Sequence, residues 1–265
     1  MDLALKDKII LVTGGDKGIG LGISRVLAKE DALPIIVGRT EKDVLKAVTE
    51  IKENGGKTDY VLAELTDPDA CKKVVAKVIE THGTIHGLVN NAGVNDGVSL
   101  ENGNFESFMA SINKNLTHYY LMAHFCLKEL KKNQGAIVNI SSKTAETGQG
   151  GTSGYAAANG GRNALTREWA VELLPYKVRV NAIVVAESYT PLYKKWIHTF
   201  SNPEEKLNEI TARIPLENRM TTPEEIANTA AFLLSSKSSH TTGQLLYVDG
   251  GYVHLDRAIK PQGEI

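Results

Sequence analysis

Residues 9–20 read Ile9-Ile-Leu-Val-Thr13-Gly14-Gly15-Asp16-Lys17-Gly18-Ile19-Gly20, and Ile23, Val26 and Leu27 follow at helical spacing. An apolar run, a glycine-rich turn and an amphipathic helix succeed one another without a gap. In that order the glycines let backbone approach a pyrophosphate, and the helix N-terminus attracts its charge. Three glycines alone equally suit a tight turn; their position directly after the first strand favours the dinucleotide reading.

The pattern continues outward from this loop. Short apolar runs at Ile35–Val37, Asp59–Ala63, Gly87–Val89, Ala136–Ile140, Val178–Ile183 and Leu245–Val248 join Ile9–Val12 as strand candidates. Amphipathic stretches lie between them, at Glu41–Asn54, Pro68–Thr81, Phe105–Lys131 and Tyr155–Leu174. Strands alternating with helices predict an α/β fold, a Rossmann-like doubly wound parallel sheet of about seven strands with helices on both faces. A single domain over 1–265 is expected, interrupted only near 187–223, where Pro191, Trp196, Pro203 and Pro215 break the rhythm. A long insertion late in such a fold usually serves the substrate, often as a lid.

The 265 residues carry a net charge of −1, which offers nothing to a polyanion, so no nucleic-acid partner is expected. No stretch is long and apolar enough to cross a membrane, and the start carries no signal-like run, so a cytoplasmic protein is expected. The two cysteines, Cys71 and Cys126, sit in helical patterns and read as buried thiols rather than a disulfide. No metal site is expected.

The sequence resembles the short-chain dehydrogenases/reductases. The matching residues are Thr13-Gly-x-x-x-Gly18-Ile-Gly20, Asn90-Asn91-Ala92-Gly93, Asn115, Ile140-Ser141-Ser142, Tyr155 thirteen residues after Ser142, Asn181, Thr190 and Val248-Asp249-Gly250-Gly251. They span essentially the whole chain in order. The resemblance implies NAD(P)-dependent hydride transfer, with Tyr155 as acid/base, Ser142 orienting the reacting oxygen and Asn115 holding a water in the proton path. It also implies cofactor contacts from Gly14, Asp16, Lys17, Gly18, Ile19, Gly20, Arg39, Glu64, Leu65, Asn91, Ala92, Gly93, Tyr155, Asn159 and Thr190.

Two positions depart from the family. Its Tyr-x-x-x-Lys is here Tyr155-Ala-Ala-Ala-Asn159, and its Pro-Gly after the sixth strand is Val185-Ala186. The family lysine lends the tyrosine a charge and holds the nicotinamide ribose; Asn159 can hydrogen-bond but is neutral. The expectation is slowed oxidation, sped by Asn159→Lys, or a cofactor-binding protein with little turnover. Arg162, seven residues after Tyr155, is nearly on the same helical face. It is expected to be a solvated helix residue, with a charge-supplying role as the alternative.

The second strand ends Ile35-Ile-Val-Gly38-Arg39-Thr40, without the acid that takes an adenosine 2′-hydroxyl. Arg39 and Lys17 therefore predict NADP over NAD, and Glu64 with Leu65 aligns with the family's adenine-bracketing pair.

Around the expected substrate site, residues 91–98, 141–149, 186–193 and His254-Leu-Asp-Arg257 resemble the bacterial L-fucose dehydrogenases, which oxidise the anomeric carbon of a free aldose to a lactone. Polar side chains there suit a hydroxyl-rich substrate. The expected substrate contacts are Asn95, Ser142, Lys143, Glu146, Gln149, Tyr155, Glu187 and Trp196, with Tyr193 and Trp196 packing a sugar's apolar face. The alternative is a 3-ketoacyl or other carbonyl reductase. Apolar residues on several sides of the two long helical runs, Phe108, Met109, Leu121, Met122, Phe125, Leu165 and Trp169 among them, together with the family's habit, lead us to expect a homotetramer.

Overall fold

The computed structural model describes residues 2–255. Seven strands form one sheet: β1 (Ile9–Thr13), β2 (Leu33–Gly38), β3 (Asp59–Leu62), β4 (Gly87–Asn90), β5 (Ala136–Ser142), β6 (Arg179–Val185) and β7 (Leu245–Val248). Their order is β3-β2-β1-β4-β5-β6-β7, and every pairing is parallel. The order reverses between β1 and β4, so the crevice beyond their carboxyl ends is where a ligand binds in such sheets.

Alternation along β1 shows how both faces are covered. Ile9 and Leu11 enter one apolar cluster, Ile10 and Val12 another. The first cluster holds α3 (Pro68–His82), α5 (His118–Asn133) and α6 (Ser153–Glu172) against the sheet. The second holds α1 (Gly18–Lys29) and α9 (Pro223–Leu234), and α2 (Glu41–Glu53) joins through a third. α1 and α9 touch closely: a Cβ at Gly22 would lie 2.8 Å from Pro223. The sequence pattern had not singled out α9, whose Thr222–Glu225 capping box starts it just past the irregular segment.

Three expectations change. The stretch 105–131 is not one regular helix: α4 (Phe105–Ile112) meets α5 through a π-helical turn at Asn113–Thr117. The extra residue in that turn frees a backbone carbonyl, as such turns do at functional sites. Met122 and Trp169 pack into the core under α5 and α6, so neither offers an outer face. Without Pro-Gly, β6 runs on to Val185, paired with Ser142 on one side and Val248 on the other.

Cys71 and Cys126 are both buried and unbonded. Burial pushes the Cys71 thiol up to about 11 and Cys126 higher still, which leaves both as inert core groups. No described helix is long and apolar enough to cross a membrane. The irregular segment folds into α7 (Pro191–Ile197) and α8 (Pro203–Thr211) and returns through a bridge between Ser188 and Thr221.

Candidate active site

The glycine loop is held from the end of β4. Thr13 Oγ1 accepts from the backbone N–H of Asn91 and Ala92, at 2.8 and 3.1 Å. Asn91 Nδ2 donates to the carbonyls of Thr13 and Gly14. Asn91 thus shapes the loop with its amide. Gly14 has φ +61°, which favours glycine, and a Cβ there would also crowd Ala92 Cα at 3.1 Å. α1 begins without a side-chain cap and without an acid in its first turn. Its first N–H groups therefore face the crevice unpartnered, the arrangement a phosphate needs. Gly18 packs against Thr190, the residue that caps α7 by accepting from Tyr193 N–H. The crevice floor and the irregular segment meet at this point.

The adenosine end is electrostatically mixed. Arg39 reaches Glu64 at 3.4 Å, and Lys17 pairs with Asp43. Asp16 lies over Gly38, where a Cβ would stand 2.9 Å from its Oδ1, and burial raises its carboxyl. Leu65 turns its side chain into the core, and its carbonyl accepts from the buried Cys71 thiol at 3.3 Å.

The expected catalytic residues converge from three elements. Ser142 ends β5, and its Oγ accepts from Thr144 N–H at 3.3 Å, capping a short 3₁₀ turn at Lys143–Ala145. Asn115 lies in the π-helical turn; its Oδ1 accepts from Val94 N–H at 2.8 Å and its Nδ2 donates to the Ser111 carbonyl. Tyr155 lies half-buried in the first turn of α6, and its carbonyl accepts from Asn159 Nδ2 at 2.8 Å. Asn159 is fully buried and faces Thr144 Oγ1 at 3.5 Å.

Arg162 stitches these elements together. It is 3% exposed, so the expectation of a solvated residue is wrong. Nε and Nη2 donate to the Asn115 carbonyl at 2.8 and 2.5 Å; Nη1 donates to the Ile140 carbonyl at 3.2 Å and to Asn159 Oδ1 at 2.9 Å. The guanidinium lies 4.2 Å from the Tyr119 ring centre and 5.9 Å from that of Tyr155. Helical spacing put Arg162 on the right face, but the carbonyl freed by the π-helical turn, which draws it inward, leaves no mark in the local pattern. A buried polar chain continues behind it: Thr166 Oγ1 donates to the Arg162 carbonyl, Asn139 Nδ2 to Thr166, and Asn90 Nδ2 to Asn139.

Beside Ser142 lies a second polar cluster. Lys143 and Glu187 form a short ion pair, and the Lys143 ammonium stands 4.0 Å from the Tyr252 ring centre. Burial alone would lower the Lys143 pKa; Glu187 and Tyr252 outweigh it and raise it. Tyr193 adjoins Glu187, and burial together with that carboxylate pushes its phenol well up. Tyr252 had not been expected here, because only the fold brings the turn after β7 back to the end of β5.

The other expected substrate contacts stand apart. Glu146 accepts from Asn163 Nδ2 at 2.9 Å, Gln149 is exposed, and Asn95 accepts from its own turn at Gly97 N–H. Trp196 is 43% exposed and edge-packed between Tyr193 and Phe200, at 5.1 and 5.0 Å. His254 packs edge-on to Tyr247, whereas residues 256 and 257 of the C-terminal stretch lie outside the described residues.

Comparison with known proteins matches this geometry. A family model described as Enoyl-(Acyl carrier protein) reductase matches residues 14–253. The chain is 36% identical over 253 residues to a 3-oxoacyl-(acyl-carrier-protein) reductase of Thermotoga maritima, covering 95% of this chain and 100% of that protein. It is 32% identical over 245 residues to an L-fucose dehydrogenase of Bos taurus, covering 92% of this chain and 88% of that one. Among solved structures, Cj0485 dehydrogenase superposes with a TM-score of 0.94 at 47% identity, over 99% of this chain and 100% of its own. A variant of actinorhodin polyketide ketoreductase crystallised with NADPH gives 0.89 at 29% identity, over 94% and 98%.

Proposed function

The chain belongs to the short-chain dehydrogenase/reductase family and is an NAD(P)-dependent oxidoreductase, and we propose that it oxidises a free aldose at the anomeric carbon to a lactone, using NADP. L-Fucose, or its stereochemical relatives D-arabinose and L-galactose, is the proposed sugar. The observation that carries this reading is the buried Lys143–Glu187 pair, with Tyr193 and Tyr252 around it, immediately after Ser142. Four polar side chains gathered beside the end of β5 suit a polyhydroxylated ligand and waste binding on an acyl chain. A relative named L-fucose dehydrogenase supports the same choice.

When bound, the cofactor supplies the acceptor for the hydride that leaves the anomeric carbon. Tyr155 takes the proton of the anomeric hydroxyl, and Ser142 donates to the same oxygen and fixes it. Lys143 and Glu187 hold neighbouring hydroxyls and so orient the ring. The uncapped start of α1 and the loop glycines hold the pyrophosphate. Arg39 and Lys17 favour a 2′-phosphate over a 2′-hydroxyl, and Thr190, packed against Gly18, adds its contact at the loop.

The relative named 3-oxoacyl-(acyl-carrier-protein) reductase favours a second reading, carbonyl reduction. An absorbance screen at 340 nm decides between them, with free aldoses and NADP in one panel and 3-ketoacyl thioesters and NADPH in the other. Turnover of L-fucose well above every thioester supports the proposal; the reverse order refutes it. We further propose a homotetramer, built partly on the outer faces of α4 to α6, where Phe105, Met109, Tyr120 and Val171 are exposed. Light scattering that returned a monomer at micromolar concentration would remove that proposal.

A further inference from the structure

Arg162 is a buried cation whose hydrogen-bond acceptors, among the described residues, are all neutral: two backbone carbonyls and one amide oxygen. A buried charge without a countercharge is costly, and a neutral side chain of similar shape would be cheaper. Such a charge is explained if an anion forms beside it. Two anions form in this reaction, the phenolate of Tyr155 and the developing alkoxide it attends. The guanidinium lies 5.9 Å from the Tyr155 ring centre, and no other cation among the described residues lies against that ring.

The contacts also show why residue 159 is not a lysine. Nη1 of Arg162 donates to Asn159 Oδ1 at 2.9 Å, and the amide turns its nitrogen the other way, to the Tyr155 carbonyl. A lysine at 159 would bring a second cation into the same dry pocket and take from Nη1 the amide oxygen that now accepts it. The same fork takes the Asn115 carbonyl with two bonds, directly, where the family places a water.

We infer that Arg162 supplies the positive charge that the family draws from the lysine four residues after the tyrosine, and that Asn159 and Arg162 form one exchangeable unit. The inference rests on Tyr155 being the acid/base and is independent of which substrate it serves. Arg162 acts through Tyr155 and Asn115 and is a positioning residue.

The other titratable groups around the guanidinium do not compete for this role. Tyr119 and His118 face it from α5; burial pushes Tyr119 up and His118 down to about 4. Lys114 in the π-helical turn is engaged with Asp96 at 3.7 Å. β5 offers only the Ile140 carbonyl, and the loop after β4 offers Gly93.

The test is a double-mutant cycle of Asn159→Lys, Arg162→Leu and both together, with Arg162→Gln and Arg162→Lys beside it. The readouts are kcat against pH, NADPH binding by fluorescence, and ligand-free melting temperature. Turnover uses L-fucose, or whichever substrate the screen identifies, so failure of the sugar proposal leaves this test intact. Arg162→Gln is expected to lose about 100-fold in kcat at neutral pH and to move the rising limb of the profile alkaline by about one unit or more. Arg162→Lys should return the limb toward its original place. Asn159→Lys alone should melt lower and turn over no faster, while the double variant exceeds each single variant by about tenfold or more. A faster Asn159→Lys single variant overturns the inference. So do single losses that simply multiply, or an Arg162→Gln that melts lower with its limb unmoved.

Discussion

The ammonium of Lys143 and the carboxylate of Glu187 meet beside the end of β5 with their side chains only 10% and 14% exposed. Breaking such a pair leaves its partner charged and buried, which costs more than the pair itself contributes. Lys143→Met and Glu187→Gln are each expected to lower kcat/KM for the aldose about 10- to 100-fold, roughly 1–3 kcal/mol of lost hydroxyl recognition. NADP affinity should hold. Steady-state kinetics with both substrates varied checks this; an unchanged aldose efficiency in both variants would place the sugar elsewhere.

The proposed preference for NADP rests on Arg39, which is exposed and, among the described residues, paired with Glu64 alone at 3.4 Å. A surface pair of that length is weak, so a 2′-phosphate displaces the carboxylate readily. Arg39→Ala should cut efficiency with NADP about tenfold and leave NAD nearly untouched. Asp16 stands over Gly38 in the same corner and opposes a phosphate. Asp16→Ser should therefore widen the NADP preference, and kinetics with the two cofactors side by side would expose either expectation as wrong.

The sheet was legible because its signals are local. β1 and its glycine turn are contiguous, and seven apolar runs separated by amphipathic stretches admit few arrangements besides a parallel doubly wound sheet. The layout of the candidate site was legible only where a residue's place is set by its own element, as for Ser142 at the end of β5 and Tyr155 in the first turn of α6. Arg162 was misread because a charged side chain on a helix is usually solvated, and nothing near it in sequence announces the Asn115 carbonyl that draws it inward. Tyr252 was missed for a related reason: it sits over Lys143 only once β7 has been laid beside β6. Met122 and Trp169 showed the reverse error, apolar residues assigned to an outer face that the sheet had already claimed.

The irregular segment returns to the body through a pH-sensitive clasp. Thr221 N–H donates to the Glu187 carbonyl at 3.0 Å. Four residues on, Glu225 accepts from Thr222 N–H at 2.8 Å and from both terminal nitrogens of Arg219, at 3.0 and 2.7 Å. Hydrogen bonds from Arg219, then from the Thr222 backbone, hold the Glu225 carboxyl down at about 2, below its ordinary 4.5. A depressed carboxyl stabilises the folded state above its unfolded value and stops doing so as pH falls through the folded one. The melting temperature of Glu225→Gln should thus fall modestly below that of the original chain at neutral pH. The gap should narrow below about pH 4.5 and close near about pH 2. A gap of constant size across that range would show that the charge contributes nothing.

Gly93 gives an independent handle on the cation beneath the site. Its φ is not in the left-handed region, so alanine is tolerated by the backbone; the obstacle is space. A Cβ there would lie 2.8 Å from Arg162 Nη2 and 2.9 Å from Asn115 Oδ1. Both contacts are side-chain ends rather than main chain, so the fold can yield, but neither end is free to move without loss. Nη2 is committed to the Asn115 carbonyl at 2.5 Å, and Oδ1 accepts from Val94 N–H at 2.8 Å. The methyl group therefore displaces the guanidinium, or the Asn115 amide, while the core clusters on either side of the sheet remain packed. Gly93→Ala should melt within a few degrees of the original chain and lose about 10- to 100-fold in kcat, as expected when a preorganised charge is moved by a fraction of an ångström. Melting curves and kcat taken on the same preparation decide it. Full activity with an intact fold would mean that the position of Arg162 does not matter to the chemistry.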